Sequence, residues 1–347
     1  MITYRIQVRT SAGVIIGEFD TFKELTFGKR LNNYGAANFK VPVDNLKASS
    51  LIALRRYCIY IYQVTDLATT LVWAGEQALR EGRLDDRGSN WVTVYAYTWL
   101  ERLNNRFTVA ERVFAATDQG RIAMTMIDET QADTDGDIGI VEGTIEETLD
   151  RDIVFNNQNV LDGIIKLSDT LNGFDFELTD SKIFNVYVLK GVDRTAQILL
   201  EYGVNIISCH ITEDFTNPAS RAIVTGEEYG GTDLSRVEQE GSEALELYGL
   251  REYMYSETDV VSDTSLSDRG LAILRKYGVP VIKIECQIKK SSISVTDFDL
   301  GDLIRIKIKN GIYDIDQDYR IYEWTVTYND DNTETLNLVL STLNASV

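Results

Sequence analysis

The chain has 347 residues and a formal net charge of −20, from 54 acids against 34 bases. That length exceeds a single compact core, so two or more domains are expected. The acidity excludes wrapping duplex DNA or docking on anionic lipid, because both need a basic face.

Tyrosine is abundant (18 residues) and proline scarce (3), which suits β-structure. No run approaches the roughly 20 apolar residues of a membrane span. Met1 leads straight into Ile2-Thr3-Tyr4-Arg5-Ile6 without a basic or long apolar leader, so synthesis in a cytoplasm is expected. Cys58, Cys209 and Cys286 lie far apart with no CxxC spacing. Neither a zinc ribbon nor a disulfide framework is indicated, and buried free thiols are the expectation.

Residues 1–105 read as a first β-domain. Tyr4, Ile6 and Val8 alternate, Ser11-Ala12-Gly13 turns, and Val14 to Phe19 returns. Leu25 and Phe27 form a strand, Asn32-Asn33-Tyr34-Gly35 a turn, and Ala37, Phe39 and Val41 the next alternation, up to Pro42. Tyr57, Ile59 and Ile61 follow, then Leu71 to Gly75 and Trp91 to Tyr97. Short strands between turn signals predict a barrel or sandwich. Thr98-Trp99-Leu100-Glu101 fits a capping box and predicts a helix from Thr98.

Residues 106–200 change character to an α+β accessory domain. A helix is predicted over Gln119 to Thr130. A second is capped by Asn159, runs to Leu171 and carries an amphipathic stripe of Val160, Leu161, Ile164, Ile165, Ser168 and Leu171, stopped by Asn172-Gly173. Phe174 to Leu178 and Ile183 to Leu189 read as strands. Residues 201–232 return to β, with Asn217-Pro218 as a break and Arg221 to Gly226 as a strand. Residues 233–281 form an acidic, partly helical insertion whose helix, Leu266 to Tyr277, is expected to bury Leu271 and Leu274.

Residues 282–347 complete a discontinuous second β-domain with 201–232. Ile304, Ile306 and Ile308 alternate with Arg305, Lys307 and Lys309, and Asn310-Gly311 is placed to turn a tight hairpin. Tyr322, Trp324, Val326 and Tyr328 alternate, Asn329 to Asn332 turns, and Leu336, Leu338 and Leu340 return. This is an antiparallel meander with one apolar face.

Several segments together resemble the baseplate hub, or tail-associated, proteins of long-tailed phages and contractile injection machines. They are the Phe27 to Val41 hairpin, Trp73-Ala74-Gly75, the Val92 to Leu103 strand-to-helix run, helix–Asn172-Gly173–Phe174-Asp175-Phe176, Asp299-Leu300-Gly301-Asp302, Tyr319-Arg320-Ile321 and the final leucine strand. The resemblance spans nearly the whole chain as an ordered set of weak motifs. It implies a mainly β fold of two tube-like antiparallel barrels, the second discontinuous, with two smaller accessory domains. It also implies a homotrimer whose six barrels meet a hexameric tail tube or distal tail ring. A central spike, fibre or tail-tip protein is the implied partner below, and a tape measure protein a further candidate. DNA would pass through the lumen without specific binding, and the expected place is the virion tail tip. The sequence stops just after the last strand, so lytic or spike activity is expected on a separate polypeptide.

No catalytic constellation is legible, so no catalytic, cofactor or metal residue is assigned and a structural role is expected rather than an enzyme. The lone His210 adjoins Cys209, but neighbours on a strand face opposite ways, and a structural histidine at a strand end is the simpler reading. Asp133, Asp135 and Asp137 miss the calcium-loop template: Gly136 falls one position early, and Thr144 stands where a glutamate is needed. An acidic surface loop is the simpler reading. The acids of Glu238 to Glu246 are too common a feature to mark a hydrolase site. Gly226-Glu227-Glu228-Tyr229-Gly230-Gly231 carries acids where a phosphate would sit. Arg305, Lys307 and Lys309 read as a solvated or partner-facing edge. The alternative function is a distal tail or adsorption protein that grips host carbohydrate through Trp73, Trp91, Tyr95 and Tyr97. Filling of the first core is the simpler account of those rings.

Overall fold

Period-two alternation builds most of the molecule, and in the computed structural model its strands run on from one β-region into the other. The structure describes residues 3–45, 57–84, 86, 90–108, 111–214, 216–226, 236–256, 263–278, 281–289, 292–331 and 333–341. A 13-stranded sheet runs in the order β14 (Ile206–Asp214), β18 (Val281–Ile288), β21 (Glu334–Ser341), β20 (Tyr313–Tyr328), β3 (Lys23–Arg30), β4 (Ala36–Pro42), β7 (Trp91–Thr98), β6 (Thr69–Arg83), β5 (Cys58–Val64), β1 (Thr3–Arg9), β2 (Ile15–Phe19). Off this path, β19 (Leu303–Asn310) pairs with β20 and with β13 (Leu199–Glu201). The ladders are antiparallel except β13–β19, which is parallel.

The 16-residue β20 is the strand that joins the two β-regions. Its first half pairs with β19, from Leu303↔Arg320 to Asn310↔Tyr313. Its second half lies between β21 and β3, so Val326 faces Leu336 on one side and Phe27 on the other. The register shifts between Ile321 and Glu323, near where β20 changes partners. Around this seam Tyr4 meets Phe27 and Tyr328 edge-on at 5.3 and 5.2 Å, and Phe27 meets Trp324 at 5.8 Å. One continuous core therefore runs from Tyr4, Ile6 and Phe39 through to Ile284, Ile306 and Leu338.

Two glycines allow the close approaches this sheet needs. A Cβ on Gly28, opposite Thr325 in the seam, would fall 2.4 Å from the Trp324 carbonyl oxygen. A Cβ on Gly75 would fall 2.0 Å from the Tyr97 carbonyl oxygen. The sequence reading ends a strand at Gly75, and the structure corrects this. β6 passes through it to Arg83, with a register shift between Gln77 and Leu79. At the β19–β20 turn only Gly311 takes positive φ (+60°), while Asn310 stays in the ladder opposite Tyr313. Glycine alone at the first turn position matches a II′ turn, which needs only one such residue.

The accessory region has its own core. β8 (Arg112–Asp118) pairs with β10 (Asp150–Phe155), and β11 (Asp175–Leu178), β12 (Ile183–Tyr187) and β9 (Val141–Ile145) form a three-stranded sheet. Helices α1 (Gln119–Gln131) and α2 (Val160–Ser168) pack Ile122, Met126, Ile127, Leu161 and Ile164 against Phe176 and Phe184. Asn159 caps α2 as expected, its Oδ1 accepting from the Asp162 N–H at 3.0 Å. The helix closes at Ser168, and Asn172 takes the left-handed conformation further on, at φ 53°.

Two local expectations fail for identifiable reasons. Thr98 does not cap an α-helix; Trp99–Asn105 is a 3₁₀ helix, and the Thr98 hydroxyl instead accepts from the Gly35 N–H at 3.0 Å. Leu271 is exposed, because α4 (Asp263–Tyr277) turns Leu266, Ile273 and Leu274 inward at helical spacing and Leu271 falls off that stripe. In addition, β15 (Arg221–Thr225), expected in the second barrel, pairs with β16 (Arg236–Glu240) and β17 (Glu252–Ser256) in a separate small sheet. Helix α3 (Ser242–Tyr248) lies between β16 and β17 in sequence. Alternation identifies a strand but not the sheet it joins. Among the described residues no helix is long and apolar enough to cross a membrane.

Candidate functional site

The densest polar chemistry lies where the accessory region meets the large sheet. Asp175, the first residue of β11, and Arg320, on β20, form a buried ion pair. Arg320 also donates to the Gly301 carbonyl at 3.0 Å and the Lys190 carbonyl at 2.6 Å. Asp175 accepts from Asn32 Nδ2 at 2.9 Å and from the Lys190 N–H at 2.8 Å. Charges taken out of water need such full satisfaction to be tolerated. The cluster ties the β3–β4 turn, the accessory sheet and the second β-region together.

Two flanking groups extend it. The Lys190 ammonium reaches Asp299 and Glu177, each at 2.8 Å. Burial works against the Lys190 charge, but these two carboxylates outweigh it and hold its pKa above the usual lysine value. Asp302, 1% exposed, accepts from the Val192 N–H at 2.8 Å and the Asp299 N–H at 2.9 Å and pairs with Arg194. Toward the first β-region, Asp180, between β11 and β12 of the accessory region, plays a similar part. It pairs with Lys29 at 2.6 Å and accepts from the Ala74 N–H at 2.9 Å, while its carbonyl accepts from Trp99 Nε1 at 3.0 Å. The geometry here fastens backbones; it presents no nucleophile beside a base.

A cavity of about 830 Å³ opens beside this cluster, between Arg30, Leu149, Asp169, Arg275, Arg320 and Tyr322. Burial raises the Asp169 carboxyl above the usual range, against the pull of Lys276 and Arg269.

The sequence candidates are scattered. His210 is exposed in mid-strand opposite Glu285, not at a strand end. Asp133, Asp135 and Asp137 hold a turn: the Gly136 N–H donates to the Asp133 carbonyl at 2.8 Å, and the Gly139 N–H to Asp137 Oδ1 at 2.7 Å. Among the described residues no group of three or more histidine, cysteine or acidic side chains converges as a metal site. Glu240 pairs with Arg221, which also pairs with Glu252 at 3.0 Å. Of the glycine-rich run only Gly226 lies within the described residues. Arg305 and Lys309 face Asp316 and Asp314 across the hairpin, at 2.9 and 3.6 Å, so two of the three cations are already answered by acids.

The aromatic candidates divide. Trp73 is fully buried and donates to the Gly28 carbonyl at 3.0 Å. Trp91, Tyr95 and Tyr97 do not fill the core, contrary to expectation. They alternate with the inward Val92, Val94 and Ala96, so β7 carries them on its outer face. There Lys23 lies 4.7 Å from the Trp91 ring, Tyr95 donates to Glu81 at 3.1 Å, and Tyr97 packs on Tyr34.

No family model and no curated protein matches the sequence. Solved structures do match over nearly its full length. The 43 kDa tail protein of prophage MuSo2 from Shewanella oneidensis has 11% identity and a TM-score of 0.66, covering 97% of this chain and 98% of that chain. A tail protein from Neisseria meningitidis MC58 has 12% identity and a TM-score of 0.67, covering 99% and 100%. Prophage tail protein gp18 from Listeria monocytogenes EGD-e has 14% identity and a TM-score of 0.63, covering 98% and 95%. The fold is that of phage tail proteins. Within this tail-protein fold, the Asp299 to Asp302 and Tyr319 to Ile321 segments acquire a physical role, since Asp302, Gly301 and Arg320 build the buried junction. Their bonding was not legible from sequence: Asp175 and Arg320 stand 145 residues apart.

Proposed function

We propose that this protein is a structural hub of a phage-type tail, located at the tail tip or baseplate of the virion. Each copy contributes two tube-like barrels, one from each side of the β3–β20 seam. Three copies close into a ring whose six barrels match a hexameric tail tube or distal tail ring. A spike, fibre or tail-tip protein continues below, the tape measure protein contacts the ring, and DNA leaves through the lumen during ejection. The role is mechanical rather than enzymatic.

The observation that carries this reading is the end-to-end match with the three tail proteins, which covers at least 95% of each matched chain. The buried junction supports it physically, since a connector under load needs its domains fastened. The charge of −20 suits an acidic lumen that repels the DNA backbone within a Debye length of about 8 Å. Carbohydrate capture is the weaker reading, because Trp73 is buried and Trp91, Tyr95 and Tyr97 already have partners.

The mass and electron-microscopic image of the purified assembly, alone and with its tail-tube partner, test the proposal. A threefold ring with a central hole is expected. A monomer that stays monomeric on the tube, or a ring of another order, overturns it.

A further inference from the structure

Two of the three cysteines, 77 residues apart in sequence, face each other across a ladder. Cys209 on β14 pairs with Cys286 on β18, and their Sγ atoms are 3.1 Å apart. Directly opposed residues of an antiparallel pair have Cα atoms about 4.5 or 5.5 Å apart, and both values lie inside the range a disulfide spans. Only a small side-chain rotation separates this contact from a bond of about 2.04 Å.

The position gives the pair a consequence. β14 ends the sheet path and leans on β18, and the last register pair of that ladder is Asp214↔Val281. The chain between those two residues contains the whole inserted unit of β15, β16, β17, α3 and α4. Cys209 and Cys286 therefore sit within the strand pair that forms the neck of that unit, five register positions before the pair at which the chain enters and leaves it. Cys286 is buried, Cys209 half-buried, and Cys58 belongs to a separate cluster with Ala74 and Trp99.

We propose that Cys209 and Cys286 form a redox-modifiable dithiol, which a small-molecule disulfide closes into a cross-strand bond that locks the neck of the inserted unit. The Cys209 thiolate attacks one sulfur of the disulfide RS–SR, forming Cys209–S–S–R and releasing RS⁻. Cys286 then gives up its proton and attacks the Cys209 sulfur. The Cys209–Cys286 bond forms, the S–S–R bond breaks, and the second RS⁻ leaves. The two cysteine protons end on the released thiolates, so the protein is oxidised by two electrons and RS–SR is reduced to two RSH. A hydrogen bond from Cys286 holds the Cys209 thiol below the usual thiol range, which favours it as the attacking group. The contact with Cys209, together with burial, pushes the Cys286 thiol up, so Cys286 reacts second; burial also raises Cys58, which is set apart by its place in a separate cluster with Ala74 and Trp99.

The test uses the intact protein incubated with oxidised glutathione, then denatured in N-ethylmaleimide and mapped by mass spectrometry. The expected product carries a single maleimide, on Cys58, and a peptide pair joined through Cys209 and Cys286; Cys209→Ser abolishes the link. Three maleimides, or a lasting glutathione adduct on Cys209 with Cys286 free, overturn the proposal. Amide exchange of the wild-type protein provides the second readout. Closing the bond should slow exchange severalfold along Ile206–Asp214 while Thr3–Arg9 is unchanged, with reversal by reductant. Unchanged exchange in β14 after quantitative closure refutes the lock.

Discussion

The large sheet and the inserted unit solve the same problem with very different resources. The sheet shares one core across both β-regions, reinforced by aromatic contacts at the seam and by a buried ionic junction beneath it. The inserted unit packs three short strands on α4 around Ala219, Ala222, Val224, Leu266, Ile273 and Leu274. It touches the accessory region through the Arg151–Asp268 pair at 2.6 Å. The contrast teaches where stiffness is placed: continuous burial holds the seam, and a satellite core hangs from two strands.

The largest effect is expected at the junction. Arg320→Met leaves Asp175 buried without its cation and should cost about 3–5 kcal/mol in urea unfolding. Adding Asp175→Asn should recover part of that loss, since it removes the unpaired buried charge while the amide oxygen keeps one of the two bonds, from Asn32 Nδ2 or from the Lys190 N–H. Gly28→Ala forces a Cβ against the seam backbone and should cost about 3 kcal/mol. Its hallmark is faster hydrogen exchange on both sides, in Lys23–Arg30 and in Glu323–Tyr328. Leu266→Ala should cost about 2 kcal/mol, confined to the inserted unit. Limited proteolysis should then cut between β15 and β18 while the large sheet stays intact; loss of the whole sheet would erase the contrast.

Smaller effects sharpen the same picture. Lys190 has a raised pKa in the folded protein, so the folded state holds its proton more tightly than the unfolded chain. The resulting stabilisation is complete below the ordinary lysine pKa of about 10.4 and is lost as pH rises through the folded value. Buried Tyr4, its pKa raised first by burial and then by Glu334, acts in the same direction. The unfolding midpoint should therefore fall steeply at alkaline pH, and Lys190→Met should flatten part of that slope. At the other extreme, Arg305→Ala removes a surface pair and should leave the melting temperature unchanged.

Much of the fold was legible, because alternation reports burial directly. Ile304, Ile306 and Ile308 are buried as their spacing predicts, and Asn159 caps the helix it announces. What escaped were relations between distant segments. The Arg221–Thr225 alternation could not say that its partners are β16 and β17, and nothing near Asp175 points to Arg320. Cys209 and Cys286 read as separate thiols until the β14–β18 register set them opposite. Trp91, Tyr95 and Tyr97 read as core from their aromatic character alone, but the phase set by Val92, Val94 and Ala96 puts them on the outer face.

The β3–β20 seam makes one body of the two β-regions. Hydrogen exchange followed by mass spectrometry through the unfolding transition tests this directly. Residues of Lys23–Arg30, Trp91–Thr98, Leu303–Asn310 and Glu334–Ser341 should lose protection together, in one cooperative step and with one denaturant midpoint. Two separate steps, with the strands before residue 105 opening while those after residue 281 remain protected, would contradict it.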